Sequence, residues 1–149
     1  MNGGVAVEAG QVLVLYFAAQ WCPDCRAFTP VFRQFHRDVN GNGERVKVVW
    51  VSSESGTQDF DKTLAEDHGD YVALRFGDGR ISDLKRRYGV CARKELAELM
   101  AAEARKGGIP TVAVVDAATG DVLSLDGQAD IEELGVAAAD KWLKLTQSK

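Results

Sequence analysis

Val12-Leu13-Val14-Leu15-Tyr16-Phe17 is an unbroken run of six apolar residues, most of them strand-favouring. A run this short and this apolar suits a central strand covered on both faces. Soon after it the period changes. Phe28, Val31, Phe32 and Phe35 recur at steps of three and four, which marks one face of a helix. A buried strand therefore hands over to a helix within a few residues, and at the junction stands Trp21-Cys22-Pro23-Asp24-Cys25. The free N–H groups and the dipole of a helix N-terminus favour an anion, so this position favours a thiolate at Cys22. Cys25 lies one turn further in and is the natural resolving thiol. Trp21 is placed to shield the pair from one side, and Pro30 falls inside the helix and should kink it.

Two cysteines with two residues between them can cycle between dithiol and disulfide or supply two ligands to a metal. Zinc normally takes four ligands. Cys91 stands alone, and His36 and His68 have no ligand-like spacing to the motif. Neither metal nor cofactor is expected. Asp24, one residue from the thiols, opposes their ionisation by like-charge repulsion.

The remaining chain follows an α/β pattern. A helix from Cys22 should end near Asn40-Gly41-Asn42-Gly43, and Arg45–Ser52 reads as a second internal strand with Trp50 in the core. Thr57–Asp67 reads as a helix capped by Thr57, with Phe60 and Leu64 inward and a solvated His68 after it. Tyr71–Phe76 is a short apolar stretch. Ser82 is expected to cap a short helix ending at Gly89. Thr111–Val115 and Val122–Leu125 form a hairpin across Thr119-Gly120. Asp130 and Glu133 are spaced as a capping box for a final helix whose inward stripe is Ile131, Leu134, Ala138, Trp142 and Leu145. Residues 1–10 read as a short lead-in.

At 149 residues and 46% apolar composition, the chain is long enough for one domain with its own core. A net charge of −4 gives no reason to expect nucleic acid or an anionic membrane as partner. No stretch approaches the ~18 apolar residues of a membrane span. The start lacks a basic region, so no signal peptide is expected. Cysteine usage fits a reducing compartment, with the cytoplasm as the default.

The strand, the W-C-P-x-C motif, the proline five residues after the second cysteine and Ile109-Pro110-Thr111 together resemble the thioredoxin superfamily. Tyr16–Cys22, Val49–Glu54, Arg87–Val90 and Ile109–Val115 resemble its nucleoredoxin and tryparedoxin branch. The resemblance runs from Val12 to Trp142. It implies a three-layer sandwich with a central mixed sheet, and thiol–disulfide exchange at Cys22 and Cys25. It also implies support from Trp21, Pro23 and Asp24, a cis Pro110, and Ile109 backbone against the reactive sulfur. The partners it implies are disulfide-bearing proteins, peroxiredoxin-type among them, and a dithiol reductant of thioredoxin-reductase, glutathione or trypanothione type. A redox-sensitive binding module with little turnover is the alternative.

Four features depart from the family pattern; one is Asp24, which stands where the nucleoredoxin and tryparedoxin branch usually has proline. Tyr16 occupies the place of the buried acid of common thioredoxins, and Ser53-Glu54 that of a tryptophan–acid pair in tryparedoxins. Residues 91–108 form an insertion before Ile109-Pro110. Ala92–Lys106 is rich in helix formers, so the spacing of Leu96, Leu99 and Met100 predicts a helix of about three to four turns, hinged at Gly107-Gly108. Beside the catalytic face it could act as a lid. Cys91, at its start, is a candidate regulatory thiol.

Overall fold

The structure, a computed structural model, describes residues 11–147; the expected lead-in at 1–10 lies outside the described residues. Its sheet has five strands: β1 (Val12–Ala18), β2 (Val46–Ser52), β3 (Val72–Ala73), β4 (Thr111–Val115) and β5 (Val122–Ser124), in the order β3-β2-β1-β4-β5. β1 pairs parallel with β2 and antiparallel with β4, so it is the central strand, and all seven of its residues are buried. Val12, Val14, Tyr16 and Ala18 face one core layer; Leu13, Leu15 and Phe17 face the other. Each fully buried aliphatic or phenylalanine side chain contributes about 1.5–3 kcal/mol. β1 is thus the strand whose disruption would cost most.

The first layer is covered by α1 (Pro23–Val39), α2 (Thr57–Glu66), α5 (Gly127–Leu134) and α6 (Ala137–Gln147), the second by α3 (Gly79–Tyr88). This is the mixed-sheet, three-layer α/β sandwich expected from the sequence. In α1, Phe28, Phe32, Phe35 and Val39 form the buried stripe. The helix runs through Pro30, which leaves the Arg26 carbonyl without its usual donor. Val31 is exposed, because it lies beside a groove shared with Ile131, Gly135 and Val136. Among the described residues, no helix is long and apolar enough to cross a membrane.

Several local expectations fail for identifiable reasons. α2 is capped by Gly56, not Thr57, and Leu64 is exposed. Phe60 stacks on Trp50 with centroids 5.0 Å apart, and that orientation turns Thr63 inward, where its hydroxyl donates to Glu54 at 2.6 Å. α3 starts earlier than expected: Asp78 accepts from the Arg80 N–H at 2.9 Å, so Ser82 lies inside the helix. The final helix is two helices, broken at Gly135 with φ +57°. Asp130 is not a cap. It is buried mid-helix and accepts from Trp142 Nε1 at 2.9 Å and Lys141 Nζ at 2.8 Å, tying α5 to α6 across the break. Leu134, next to that break, is exposed.

The insertion is not one helix. It is a single 3₁₀ turn (Arg93–Glu95), a one-turn α4 (Leu96–Leu99) and a second 3₁₀ turn (Ala102–Ala104), with Met100 and Ala101 extended between them. Closure of the segment outweighs propensity here. A straight helix of this length would be ~22 Å long and would carry its end away from its start. Instead the Lys106 and Gly107 N–H groups both donate to the Gly89 carbonyl, at 2.7 and 3.2 Å, and Cys91 N–H donates to Gly107 O at 3.3 Å. Arg86 Nε, on α3, donates to Leu99 O at 2.9 Å. A segment tied at its base and its middle is a strap, not a hinged lid.

His68 is also not the solvated residue expected. It packs between Trp50 and Tyr71, and its Nε2 lies 2.5 Å from the Tyr71 carbonyl. Burial lowers its pKa, against the effect of that carbonyl. Burial also lowers the pKa of His36, against the carboxylates of Glu44 and Asp70. Both therefore bind protons more weakly folded than unfolded, where histidine titrates near ~6.5. Their contribution to stability is complete above about pH 6.5 and is lost progressively as the pH falls through the lowered folded values. The urea midpoint should fall from pH 7 to pH 5; a midpoint that rises over that interval contradicts this.

Candidate active site

The site forms where β1 ends. The chain turns through Ala19, Gln20 and Trp21, with Cys22 N–H donating to Ala19 O at 3.3 Å. Cys22 is the N-cap of α1, Pro23 follows at its first turn, and the Cys25 N–H donates to Cys22 Sγ at 3.4 Å. Pro suits this position because it has no N–H to leave unpaired and its φ is already helical. The reactive geometry thus follows from the order strand, tight turn, proline, helix. All three cysteines are free thiols.

The two motif thiols differ in environment. Cys22 retains 7% exposure and Cys25 1%. Burial pushes the Cys25 thiol well above the ordinary thiol range, opposed by a hydrogen bond with the Ala19 backbone; Asp24, exposed in the first helical turn, adds the smallest push in the same direction. Beneath them Tyr16 shares a 2.7 Å hydrogen bond with Thr29 Oγ1. Burial drives the Tyr16 phenol pKa strongly upwards, so it is a protonated hydroxyl where an acid was expected to be missing.

From the other side, the Ile109–Pro110 peptide is cis, and the Ile109 carbonyl lies 3.8 Å from Cys22 Sγ. Ile109 and Pro110 line an open groove of about 420 Å³ with Asp24, Phe28, Gln128 and Glu132. So the structure brings Trp21, Cys22, Pro23, Asp24, Cys25, Ile109 and Pro110 together at the carboxyl end of the central strand β1. It does not bring Cys91 there in reactive form. Cys91 has 0% exposure, and its thiol is pushed up by burial first and by Glu95 second. That environment disfavours a regulatory role at Cys91, which needs access and thiolate character. Among the described residues, no three His, Cys, Asp or Glu side chains converge as they would around a metal ion.

The model of the thioredoxin-like family matches residues 10–122. The chain belongs to the thioredoxin-like family. Within it, the chain is a nucleoredoxin- and tryparedoxin-like member. It is 32% identical over 90 residues to the probable nucleoredoxin 1 of Arabidopsis thaliana, covering 60% of this chain and 15% of that protein. It is 29% identical over 127 residues to the tryparedoxin of Trypanosoma brucei brucei, covering 83% of this chain and 74% of that one. The crystal structure of a thioredoxin from Wuchereria bancrofti superimposes with a TM-score of 0.68 at 31% identity, over 95% of this chain and 86% of that one. The chain thus spans only a small part of the nucleoredoxin it matches.

This thioredoxin-like site carries a flank that sequence reasoning missed. Trp21 is 38% exposed, and its indole N–H donates to Ser53 O at 2.8 Å. Glu54 accepts from Gln20 N–H at 2.8 Å, just before the motif. Ser53-Glu54, noticed only as a departure, therefore hold the turn that presents Cys22. The available signal was positional: β2 runs parallel to β1, so residues just past its end must lie beside the motif. The strap reaches the same flank. Glu95 accepts from Ser53 Oγ at 2.7 Å, from Ala92 N–H at 2.9 Å and from Lys85 Nζ at 2.6 Å. Lys94 Nζ sits 3.8 Å from the centre of the Trp21 ring and donates to Ser55 Oγ at 2.8 Å.

Proposed function

We propose that this chain is a thiol–disulfide oxidoreductase that reduces protein or low-molecular-weight disulfides through Cys22 and Cys25. It acts as a single domain with residues 91–108 as an insertion, in a reducing compartment, the cytoplasm. The observation that carries the reading is the asymmetry of the two thiols. Cys22 caps a helix N-terminus and keeps 7% exposure, and Cys25, one turn away, keeps 1%. Family membership supports redox chemistry in general.

In the cycle, Cys22 thiolate attacks one sulfur of the substrate disulfide. The Cys22–substrate S–S bond forms, the substrate S–S bond breaks, and the first substrate thiolate leaves. Cys25 then attacks Cys22 Sγ. The intramolecular disulfide forms and the second substrate thiolate leaves. Two electrons pass from the dithiol to the substrate, and the two protons end on the released thiols. The Cys25 thiol must lose its proton before the second attack. Tyr16 is itself protonated and cannot take it, so the leaving substrate thiolate is the base at hand. A dithiol reductant reverses the sequence and restores the enzyme.

The test is turnover. With dithiothreitol as reductant, the protein should accelerate insulin reduction, and Cys22→Ser should abolish the acceleration. Partner binding without turnover would instead favour a redox-sensitive binding module. Equal acceleration by Cys22→Ser would refute the assignment.

A further inference from the structure

The two flanks of the candidate site carry opposite charge. On the Ile109–Pro110 side the groove has Asp24 and Glu132, both exposed. On the Trp21 side are Arg26 and Lys94, also exposed. Arg26 Nη1 donates to the Gln20 carbonyl at 2.9 Å, and Lys94 meets the Trp21 ring and the Ser55 hydroxyl. All these partners are neutral. Among the described residues, neither cation is in an ion pair, whereas Lys85, on the same strap contact, is paired with Glu95 at 2.6 Å. Glu54 adds one carboxylate behind the same turn, but it is 8% exposed and accepts from Gln20 N–H and the Thr63 hydroxyl, so the exposed charge of the Trp21 flank is positive.

The position of Lys94 is built. Its neighbour Glu95 is fixed by three hydrogen bonds, one of them to the residue whose carbonyl holds the Trp21 indole. A cation resting on an aromatic face keeps its charge available to a second partner. Trp21 immediately precedes Cys22, the less buried of the two thiols, so this flank borders the approach of a disulfide to Cys22.

We propose that Lys94, supported by Arg26, is a specificity-determining residue that selects disulfides bearing carboxylates close to their sulfur atoms. The proposal rests on the thiol–disulfide reading above. Chemistry at Cys22 and Cys25 is unaltered by it. What changes is which substrate arrives, since like-charged flanks repel and complementary ones concentrate a ligand. A carboxylate on the Trp21 side is attracted by Lys94, with Arg26 adding to the positive field, while the Asp24–Glu132 side disfavours the same group. An anionic disulfide is thereby oriented as well as attracted.

The experiment uses three small disulfides of different charge: dianionic 5,5′-dithiobis(2-nitrobenzoate), neutral bis(2-hydroxyethyl) disulfide and dicationic cystamine. The prereduced protein is mixed with each, and single-turnover rate constants are compared as ratios. Lys94→Gln should lower the dianion-to-dication ratio about fivefold and Lys94→Glu further, for a loss of one contact-range charge interaction in a largely aqueous setting. Lys94→Arg should hold the ratio within about twofold, since the guanidinium keeps both the charge and the aromatic contact. In the unmodified protein the ratio should also collapse as salt is raised towards 1 M, where the Debye length falls to ~3 Å. Ratios unchanged in both charge-removing variants and unmoved by salt would overturn the role of Lys94 while leaving the oxidoreductase intact. Failure of the unmodified protein to reduce any of the three would overturn the oxidoreductase reading itself, and this one with it.

Discussion

Cys25→Ser protein should accumulate covalent mixed disulfides through Cys22, and Cys22→Ser protein should accumulate none. The difference follows from burial. Cys22 sits at the helix end with 7% exposure and its sulfur 3.8 Å from the Ile109 carbonyl. Cys25 is 1% exposed and its thiol is held in the protonated form by burial. A substrate can therefore meet Cys22 first and Cys25 only from inside. Removing Cys25 deletes the one thiol placed to displace the substrate, so the first intermediate persists until an external thiol cleaves it. Its lifetime should lengthen by orders of magnitude, because an intramolecular attack at high effective concentration is replaced by a bimolecular one. The adducts are read on non-reducing gels and by mass spectrometry. Equal trapping by both variants would show that the two thiols are interchangeable, against the geometry.

Glu95→Ala should destabilise the protein by about 3–5 kcal/mol, the range for removing one partner of a buried ion pair. The Lys85 side chain is 4% exposed and Glu95 20%, so this pair does not belong with exposed salt bridges, worth about 0–1 kcal/mol. The substitution leaves a buried ammonium without its counter-charge and strips an acceptor from Ser53 Oγ and the Ala92 N–H. Lys85→Met combined with Glu95→Leu should recover much of the loss, since the unpaired charge is gone. Because Glu95 fixes the strap, the single variant should also be cut faster by trypsin after Arg93 and Lys94. The urea midpoint and m-value give the energy. A loss under ~1 kcal/mol would place the pair with surface contacts.

What could be read from the sequence and what could not divide along physical lines. β1, β2 and β4 are long apolar runs, and the change of period around Cys22 is local, so strand, motif and helix N-terminus were all legible. So was the end of α3, because Gly89 adopts φ +69°, a conformation glycine favours. The start of α3 was not, because Asp78 and Ser82 are both acceptable caps and only packing chooses between them. Asp130 looked like a cap because its partners, Lys141 and Trp142, are brought to it by the break at Gly135. The strap was misread for the same reason. Its propensities favour helix, but its shape is dictated by Gly89, Lys85 and Ser53, none of which its own sequence reveals. The positively charged flank at Lys94 is a product of that path and has no signature in the motif.

The roles assigned to the three thiols can be read by peptide mass mapping of the protein equilibrated across a series of glutathione redox buffers. One intramolecular disulfide, Cys22–Cys25, should be lost and gained in a single two-electron transition of ~30 mV per tenfold change in the ratio. Cys91 should remain a thiol throughout, because it has 0% exposure. Oxidation of Cys22 without Cys25, pairing of either with Cys91, or no disulfide at any potential would contradict these roles.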